Sequence, residues 1–166
     1  MEEAEDEIKN NALETEIGHQ FSKFPKLLTE ARTHSSSIEQ NGGQDNSKLE
    51  HLGDAVLTLA ILDISYENKD IKPDPADKNK QKRVSNEALG HFALNKKLGE
   101  DYIKMGGNAK NLRHFESIEV SAAFVEAIIG AVFLDGGYEE AKRVIRDWMN
   151  VDQNNAILLL SDSISP

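Results

Sequence analysis

Hydrophobic residues recur at steps of three and four along much of the chain, which is the spacing of one face of an α-helix. The clearest case lies between residues 48 and 66, where the apolar face is formed by Leu49, Leu52, Val56 and Leu59. Similar patterns predict further helices over residues 25–32, 86–99, 116–134 and 138–150. No segment shows the alternation of polar and apolar residues that would demand a sheet. The pattern therefore predicts an all-α fold.

Segments rich in Ser, Asn, Gly and Pro separate the predicted helices. The predicted loops are residues 35–47, 69–80 and 105–111. Gly99 is expected to end the helix that begins at residue 86, because glycine commonly follows the last helical turn. In the last helix, Trp148 falls on the apolar face.

Length and charge distribution indicate one folded domain between two tails. A chain of 166 residues is long enough for a single domain with its own core. The formal net charge is -10, but residues 1–16 contain seven acidic residues and one lysine, so much of the negative charge lies there. The sequence thus predicts an acidic tail over 1–15, a folded domain over 16–150 and a C-terminal tail over 151–166.

The composition also bears on the cellular compartment. The sequence contains no cysteine, and its N-terminus lacks the apolar core of a secretory signal. These features predict an intracellular protein, cytoplasmic or nuclear. The longest apolar run, 122–134, is interrupted by Glu126 and is shorter than the roughly 20 residues of a membrane-spanning helix. We therefore expect no membrane association.

Two carboxylates share one face of the helix predicted over 48–66. Glu50 and Asp54 are four residues apart, and like charges at this spacing repel each other. A capping box with Ser47 would explain Glu50, because both side chains would satisfy free backbone N–H groups. It would not explain Asp54, which lies within the helix among apolar residues. A cation beside both acids would explain the pair.

A third acid, Glu126, is the one charged residue in a thirteen-residue apolar segment. Gly130 follows it by one turn, and Gly53 directly precedes Asp54, which suggests two helices in close backbone contact. Such packing would bring Glu126 to Asp54 and Glu50. An all-carboxylate cluster suits Mg²⁺ or Mn²⁺. Structural salt bridges with a lysine or histidine are an equally good explanation at this level.

A basic segment stands out against the acidic average of the chain. Residues 78–83 carry four positive side chains, namely Lys78, Lys80, Lys82 and Arg83. This segment could contact the phosphates of a nucleic acid. The alternative is a solvated charged turn without a ligand.

Four segments, in this order along the chain, resemble the ribonuclease III family. They are LLTEARTHSS at 27–36, NSKLEHLGDAVL at 46–57, RVSNEAL at 83–89 and VEAIIGAVFLDGGYEEA at 125–141. The second resembles the family signature Asn-Glu-Arg-Leu-Glu-Phe-Leu-Gly-Asp. The matching region covers roughly residues 16–149, and four matches in order are highly specific.

The resemblance implies an all-helical endonuclease domain that forms a homodimer and cleaves double-stranded RNA with a divalent metal ion. By motif position, Glu50, Asp54 and Glu126 correspond to acidic metal sites of the family, and Asp54 and Glu126 to catalytic ones. Mg²⁺ is the implied cofactor, with Mn²⁺ as the expected substitute. RNA recognition would rest on duplex shape, phosphates and 2′-hydroxyls.

The sequence departs from the family pattern at several positions. The family has a catalytic aspartate where this chain has Ala123, and Ser47 and His51 replace an acidic residue and a phenylalanine of the signature. Asp74 is a candidate for a further acidic ligand, and Glu119 is a candidate replacement for the missing aspartate. Glu119 lies about one helical turn from position 123, or about 5 Å, which argues against replacement.

Two functions follow from these observations. The first is a metal-dependent double-stranded RNA endonuclease in RNA processing, impaired or not by Ala123. The second is a non-cleaving RNA-binding or assembly module with the same fold. Only 16 residues follow Asn150, too few for a double-stranded RNA-binding domain, so we expect modest, salt-sensitive affinity for RNA.

Overall fold

The structure, a computed structural model, describes residues 1–67, 69–70, 84–153 and 156. Nine α-helices lie in these ranges: α1 Glu2–Ile17, α2 Lys26–Arg32, α3 Ser35–Asn41, α4 Ser47–Tyr66, α5 Asn86–Asn95, α6 Leu98–Tyr102, α7 Gly107–Asn111, α8 Ile118–Gly136 and α9 Tyr138–Trp148. A 3₁₀ turn over His114–Glu116 precedes α8. The described ranges contain no strand, so the predicted all-α fold is confirmed.

Helix α8 forms the centre of the core. Most of its residues are buried, as expected for a helix that is apolar on nearly all sides. It packs most extensively against α4 and α5. The core side chains of these three helices include Leu57, Ile61, Leu89, Ile128 and Ile129.

The backbones of α4 and α8 touch at two glycines. A Cβ atom on Gly53 would overlap the carbonyl oxygen of Glu126, and one on Gly130 would overlap the carbonyl oxygen of Leu49. Any larger residue would force the helices apart. The close approach predicted from these glycines is confirmed.

Two of the predicted loops contain short helices. Residues 35–41 form α3, because a ring nitrogen of His34 accepts a hydrogen bond from the backbone N–H of Ser36 and caps the first turn. Gly42, at a φ of 69°, ends this helix in the left-handed region. Within the predicted loop 105–111, residues 107–111 form α7. The loop prediction was wrong at both places, because helices of five and seven residues leave little hydrophobic periodicity.

The helix predicted over 86–99 is in fact two helices. Helix α5 ends at Asn95, and Lys97 adopts the left-handed conformation with a φ of 56°. Gly99 lies inside α6 instead of ending α5, so that prediction was also wrong. A Cβ atom on Gly99 would come within 2.8 Å of the carbonyl oxygen of Phe115, so this glycine serves a close packing contact.

The acidic N-terminal segment forms helix α1 and packs on the domain. Leu13 and Ile17 contribute to the core. Asp6 pairs with Arg32 at 3.4 Å and with Lys104. The Arg32 side chain is 1% exposed. Burial lowers the pKa of Arg32, and the charge of Asp6 opposes that shift.

Main-chain hydrogen bonds join three distant segments near this contact. The N–H of Lys104 donates to the carbonyl of Arg32 at 2.7 Å, next to the isolated bridge between Thr33 and Lys104. The carbonyl of Thr33 accepts from the N–H of Asn46 at 2.9 Å, and the carbonyl of Asn46 accepts from the N–H of Glu50 at 2.8 Å. The start of α4 is thereby attached to the end of α2.

Among the described helices, none is both long enough and apolar enough to cross a membrane.

Candidate functional site

One cavity gathers the three acids that the sequence singles out. It has a volume of about 230 Å³, and it is lined by Glu50, His51, Asp54, Val84, Asn86 and Glu126. Its walls come from α4, α8 and the start of α5. The structure therefore brings together Glu50, Asp54 and Glu126.

The start of α4 does not use the capping box considered for Glu50. Asn46 is the N-cap residue, and no side-chain capping bond is present there. The N–H of Ser47 instead donates to the Asp45 carboxylate at 3.0 Å. The position of Glu50 therefore needs an explanation other than helix capping.

Glu126 occupies the middle of α8, where it is 4% exposed. Its carbonyl faces Gly53, the residue before Asp54. The contact between the two helices thus places Glu126 on the wall of the cavity opposite the α4 acids. Ser117 fixes the start of α8, because its hydroxyl accepts a hydrogen bond from the N–H of Val120 at 3.2 Å.

Burial perturbs the carboxyl group of Glu50. Burial raises the pKa of this carboxyl, and the charges of Asp45 and Asp54 raise it further, whereas His51 acts in the opposite direction. Among the residues that the structure describes, neither Glu50 nor Asp54 takes part in an ion pair. A cation in the cavity would relieve the repulsion between these acids.

The cavity offers donor atoms of a type that suits a divalent cation. Its acids are hard oxygen donors of the kind that Mg²⁺ and Mn²⁺ prefer. No three His, Asp or Glu side chains in the described part of the chain are arranged to hold one ion together. Magnesium commonly takes one or two carboxylates and completes its shell with water and substrate phosphates. An ion held here by one or two of these acids would therefore need water or phosphate oxygens to complete its shell.

The position of the missing aspartate lies one turn before Glu126. Ala123 is half-buried on α8 and offers no ligand atom. Glu119 does not line the cavity. Hydrogen bonds from its own backbone and from Ser117 lower the pKa of Glu119, and the Ser117 hydroxyl lies 2.8 Å from its carboxylate. The Glu119 side chain is therefore hydrogen-bonded at the start of α8 and does not reach the cavity.

Several predicted residues fall outside the described residues. These are Asp74 and the basic residues Lys78, Lys80, Lys82 and Arg83.

Sequence reasoning missed two polar residues of the cavity wall. Asn86 at the start of α5 and His51 of α4 both line the cavity, and neither was predicted as a site residue. A sequence signal for Asn86 existed in Ser85, a residue type that favours the start of a helix. The Ser85 hydroxyl accepts a hydrogen bond from the N–H of Ala88 at 3.4 Å, which fixes where α5 begins.

A family model described as Ribonuclease-III-like matches residues 25–152. The chain belongs to the ribonuclease III family. The resemblance found in the motifs is confirmed by this match, which includes the α4 and α8 residues of the cavity.

Two curated members of the ribonuclease III family show the extent of similarity. Ribonuclease 3 of Bdellovibrio bacteriovorus is 36% identical over 138 residues, which is 81% of this chain and 58% of that protein. Ribonuclease 3 of Cupriavidus taiwanensis is 37% identical over 144 residues, which is 82% of this chain and 51% of that protein. The chain thus spans a little more than half the length of these relatives.

Among solved structures, the nuclease domain of ribonuclease III from Campylobacter jejuni has the same fold. The TM-score is 0.68 at 29% sequence identity, and the match covers 83% of this chain and 91% of that domain. A second structure of the domain concerns structural flexibility in a region involved in dimer formation.

Proposed function

We propose that residues 16–150 form an endonuclease domain that hydrolyses phosphodiester bonds of double-stranded RNA in RNA processing. The observation that carries this proposal is the cavity in which Glu50, Asp54 and Glu126 meet across the α4–α8 contact. The similarity to proteins named ribonuclease 3 supports it. An intracellular setting, cytoplasmic or nuclear, belongs to the same proposal.

We assign metal binding to Glu50, Asp54 and Glu126, and catalysis to Asp54 and Glu126. A bound Mg²⁺ or Mn²⁺ would supply a Lewis acid for the scissile phosphate. Glu126 is held in place by burial in α8, and Asp54 by the rigid contact at Gly53. Burial raises the pKa of Glu50, and a neighbouring cation would favour the ionised form of this carboxylate.

RNA binding is assigned to the cavity face and to Lys78, Lys80, Lys82 and Arg83. Recognition would depend on duplex shape and on phosphate contacts, and so it would weaken as salt increases. The positive charge of this segment would partly offset the acidic average of the chain.

The homodimer is supported by an exposed apolar stripe on α4. Leu59 is 55% exposed and Tyr66 is 79% exposed, and these two residues lie seven positions apart on one helix face with Ala55. A second copy of the chain would cover this stripe. The solved relative from Campylobacter jejuni, with its dimer-forming region, supports that interpretation.

Ala123 favours a second candidate, a non-cleaving RNA-binding or assembly module. The cavity has one acid fewer than the family pattern, and its described residues do not form a group of three ready to hold a metal ion. Retention of three acids beside an apolar core favours cleavage, because ionised carboxylates there are costly.

Cleavage of a labelled RNA duplex, with Mg²⁺ and then Mn²⁺, tests the two candidates. The parent chain is compared with Ala123→Asp and Asp54→Ala, and Asp101→Ala serves as a matched control because Asp101 is exposed on α6. Cleavage that is lost in Asp54→Ala and kept in Asp101→Ala supports the endonuclease. Cleavage by Ala123→Asp alone identifies Ala123 as the defect. Duplex binding without cleavage by any variant supports the second candidate.

A further inference from the structure

A histidine far from the cavity lies between two carboxylates. His19 follows α1 and is 8% exposed. Its Nδ1 lies 2.8 Å from a carboxylate oxygen of Glu140, and its Nε2 lies 3.0 Å from one of Asp135. Asp135 belongs to the end of α8 and Glu140 to the start of α9. One imidazole thus connects three parts of the chain.

The ring can donate a hydrogen bond to both carboxylates only while both of its nitrogens carry a proton. A neutral imidazole has one N–H donor and one acceptor nitrogen, whereas ionised carboxylates only accept. A hydrogen bond from Arg143 is the main cause that lowers the pKa of Glu140, to about 2, so this carboxylate is ionised at neutral pH. If the ring loses a proton, one of its nitrogen lone pairs faces a carboxylate oxygen. That contact becomes repulsive.

Asp135 transmits the contact to the connection between α1 and α2. Its other carboxylate oxygen accepts hydrogen bonds from the N–H groups of Lys23 at 3.0 Å and Phe24 at 2.7 Å. The same connection carries Phe21 into the core, with its ring edge-on to His19 at 4.8 Å between centroids. Release of Asp135 would therefore loosen the whole connection.

Charged residues from α1, α8 and α9 surround His19. From α1, Glu14 lines the same surface cavity as His19 and accepts a hydrogen bond from the N–H of Phe21. From α9, Arg143 binds Glu140 and donates to the carbonyl of Gly18 at 2.6 Å. Asp135 from α8 completes the set. Arg143 also pairs with Asp147 at 3.2 Å, so the carboxylates of this set outnumber its guanidinium, and a protonated His19 ring would add a second positive charge.

We propose that His19 is a pH-sensitive clasp, which fixes the α1–α2 connection to the corner between α8 and α9 while its ring carries both protons and releases it when the ring loses one. Histidine is suited to this role because it changes charge between about pH 5 and pH 8. Asp135 lies nine residues after Glu126, roughly 13 Å along α8. The proposal for His19 therefore does not depend on the nuclease proposal.

Hydrogen exchange of the Lys23 and Phe24 amides tests the clasp directly. Protection factors, corrected for intrinsic exchange, are compared at about pH 5.5 and about pH 8, with the core amide of Ile128 as reference. We expect protection at Lys23 and Phe24 to fall about tenfold or more at the higher pH while Ile128 is unchanged. Protection that is independent of pH would overturn the proposal.

Matched variants separate the clasp from a general effect of pH. In His19→Gln, protection of the two amides should be low at both pH values. In His91→Gln it should match the parent, because His91 is exposed and lies 3.9 Å from Glu87.

Glu140→Gln provides a second variant should His19→Gln fail to fold. Its amide can donate to a neutral ring nitrogen, so the fall in protection with pH should shrink. An undiminished fall in either His19→Gln or Glu140→Gln would overturn the proposal.

Discussion

Gly53 of α4 lies directly against the main-chain carbonyl of Glu126 in α8. This contact has a structural and a chemical side. It packs the backbones of α4 and α8 directly against each other. It also brings the Asp54 side chain to the same cavity as the Glu126 carboxylate.

Gly53→Ala should destabilise the protein strongly. The added methyl group would overlap backbone atoms, which cannot rotate away, so we expect a loss of about 3 kcal/mol or more in the free energy of unfolding. Urea denaturation measures this loss. Gly107→Ala is the matched control, because no atom lies within 4 Å of its added Cβ and the expected change is within about 1 kcal/mol. Equal stability of Gly53→Ala and the parent would contradict the helix contact.

Glu50→Gln should stabilise the metal-free protein near neutral pH. Burial raises the pKa of Glu50 in the folded state, so its ionised form opposes folding at any pH above that pKa. Below its unfolded pKa of about 4, Glu50 is protonated in both states and the advantage of glutamine disappears. Thermal unfolding in the presence of a chelator should show a melting temperature higher by a few degrees at most. Glu7→Gln, an exposed change on α1, should show no such trend.

Mg²⁺ or Mn²⁺ should raise the melting temperature if the cavity binds metal. A ligand that binds only the folded state stabilises it by about 2.7 kcal/mol at a hundred times its dissociation constant. Asp54→Asn removes a charged ligand and should reduce the shift, whereas Asp101→Asn should preserve it. Identical shifts in the two variants would place metal binding elsewhere.

Asp6→Ala should weaken the docking of α1. The Arg32 guanidinium is buried and would lose its carboxylate partner, while Asn10 and the carbonyl of Tyr102 still accept from it. Because the Asp6 side chain is itself partly exposed, we expect a loss of about 1–3 kcal/mol in urea denaturation. Glu5→Ala removes an exposed carboxylate that pairs with Lys9 and should cost less than about 1 kcal/mol. Similar losses in both variants would argue against a specific role of Asp6.

Leu59→Glu should shift a homodimer towards monomer. A charge in the apolar stripe of α4 would have to be desolvated in the interface, so the dimer dissociation constant should rise by about tenfold or more. Sedimentation at several concentrations measures this change. Leu112→Glu alters another exposed leucine away from α4 and should leave the association unchanged. A parent chain that is monomeric at all concentrations would remove the basis of the dimer proposal.

The cavity acids could be found from sequence because each conflicts with its local surroundings. Glu126 is a charge in an apolar helix, and Asp54 is a poor helix former within one. The glycines at 53 and 130 carried the second signal, because both weaken a helix unless backbones meet. Local pattern was thus enough to predict where the two helices touch.

Polar contacts between residues far apart in the sequence could not be predicted from local pattern. His19 meets carboxylates more than 100 residues away, and no periodicity joins them. Arg32 likewise depends on Asp6 and Tyr102 from separate helices. The helical state of the acidic N-terminus was missed for a related reason, since its stability comes from docking and not from a strong hydrophobic face.

The hydrogen-bonded path from Thr33 through Asn46 to Glu50 uses only peptide groups. Peptide groups are the same in every residue except proline, so this path is insensitive to most substitutions along it. The start of α4, and with it the placement of Glu50, can therefore persist while the neighbouring side chains diverge. Substitutions along this path should accordingly keep its main-chain hydrogen bonds when the new residue has an N–H, and proline at position 46 or 50 should break one of them.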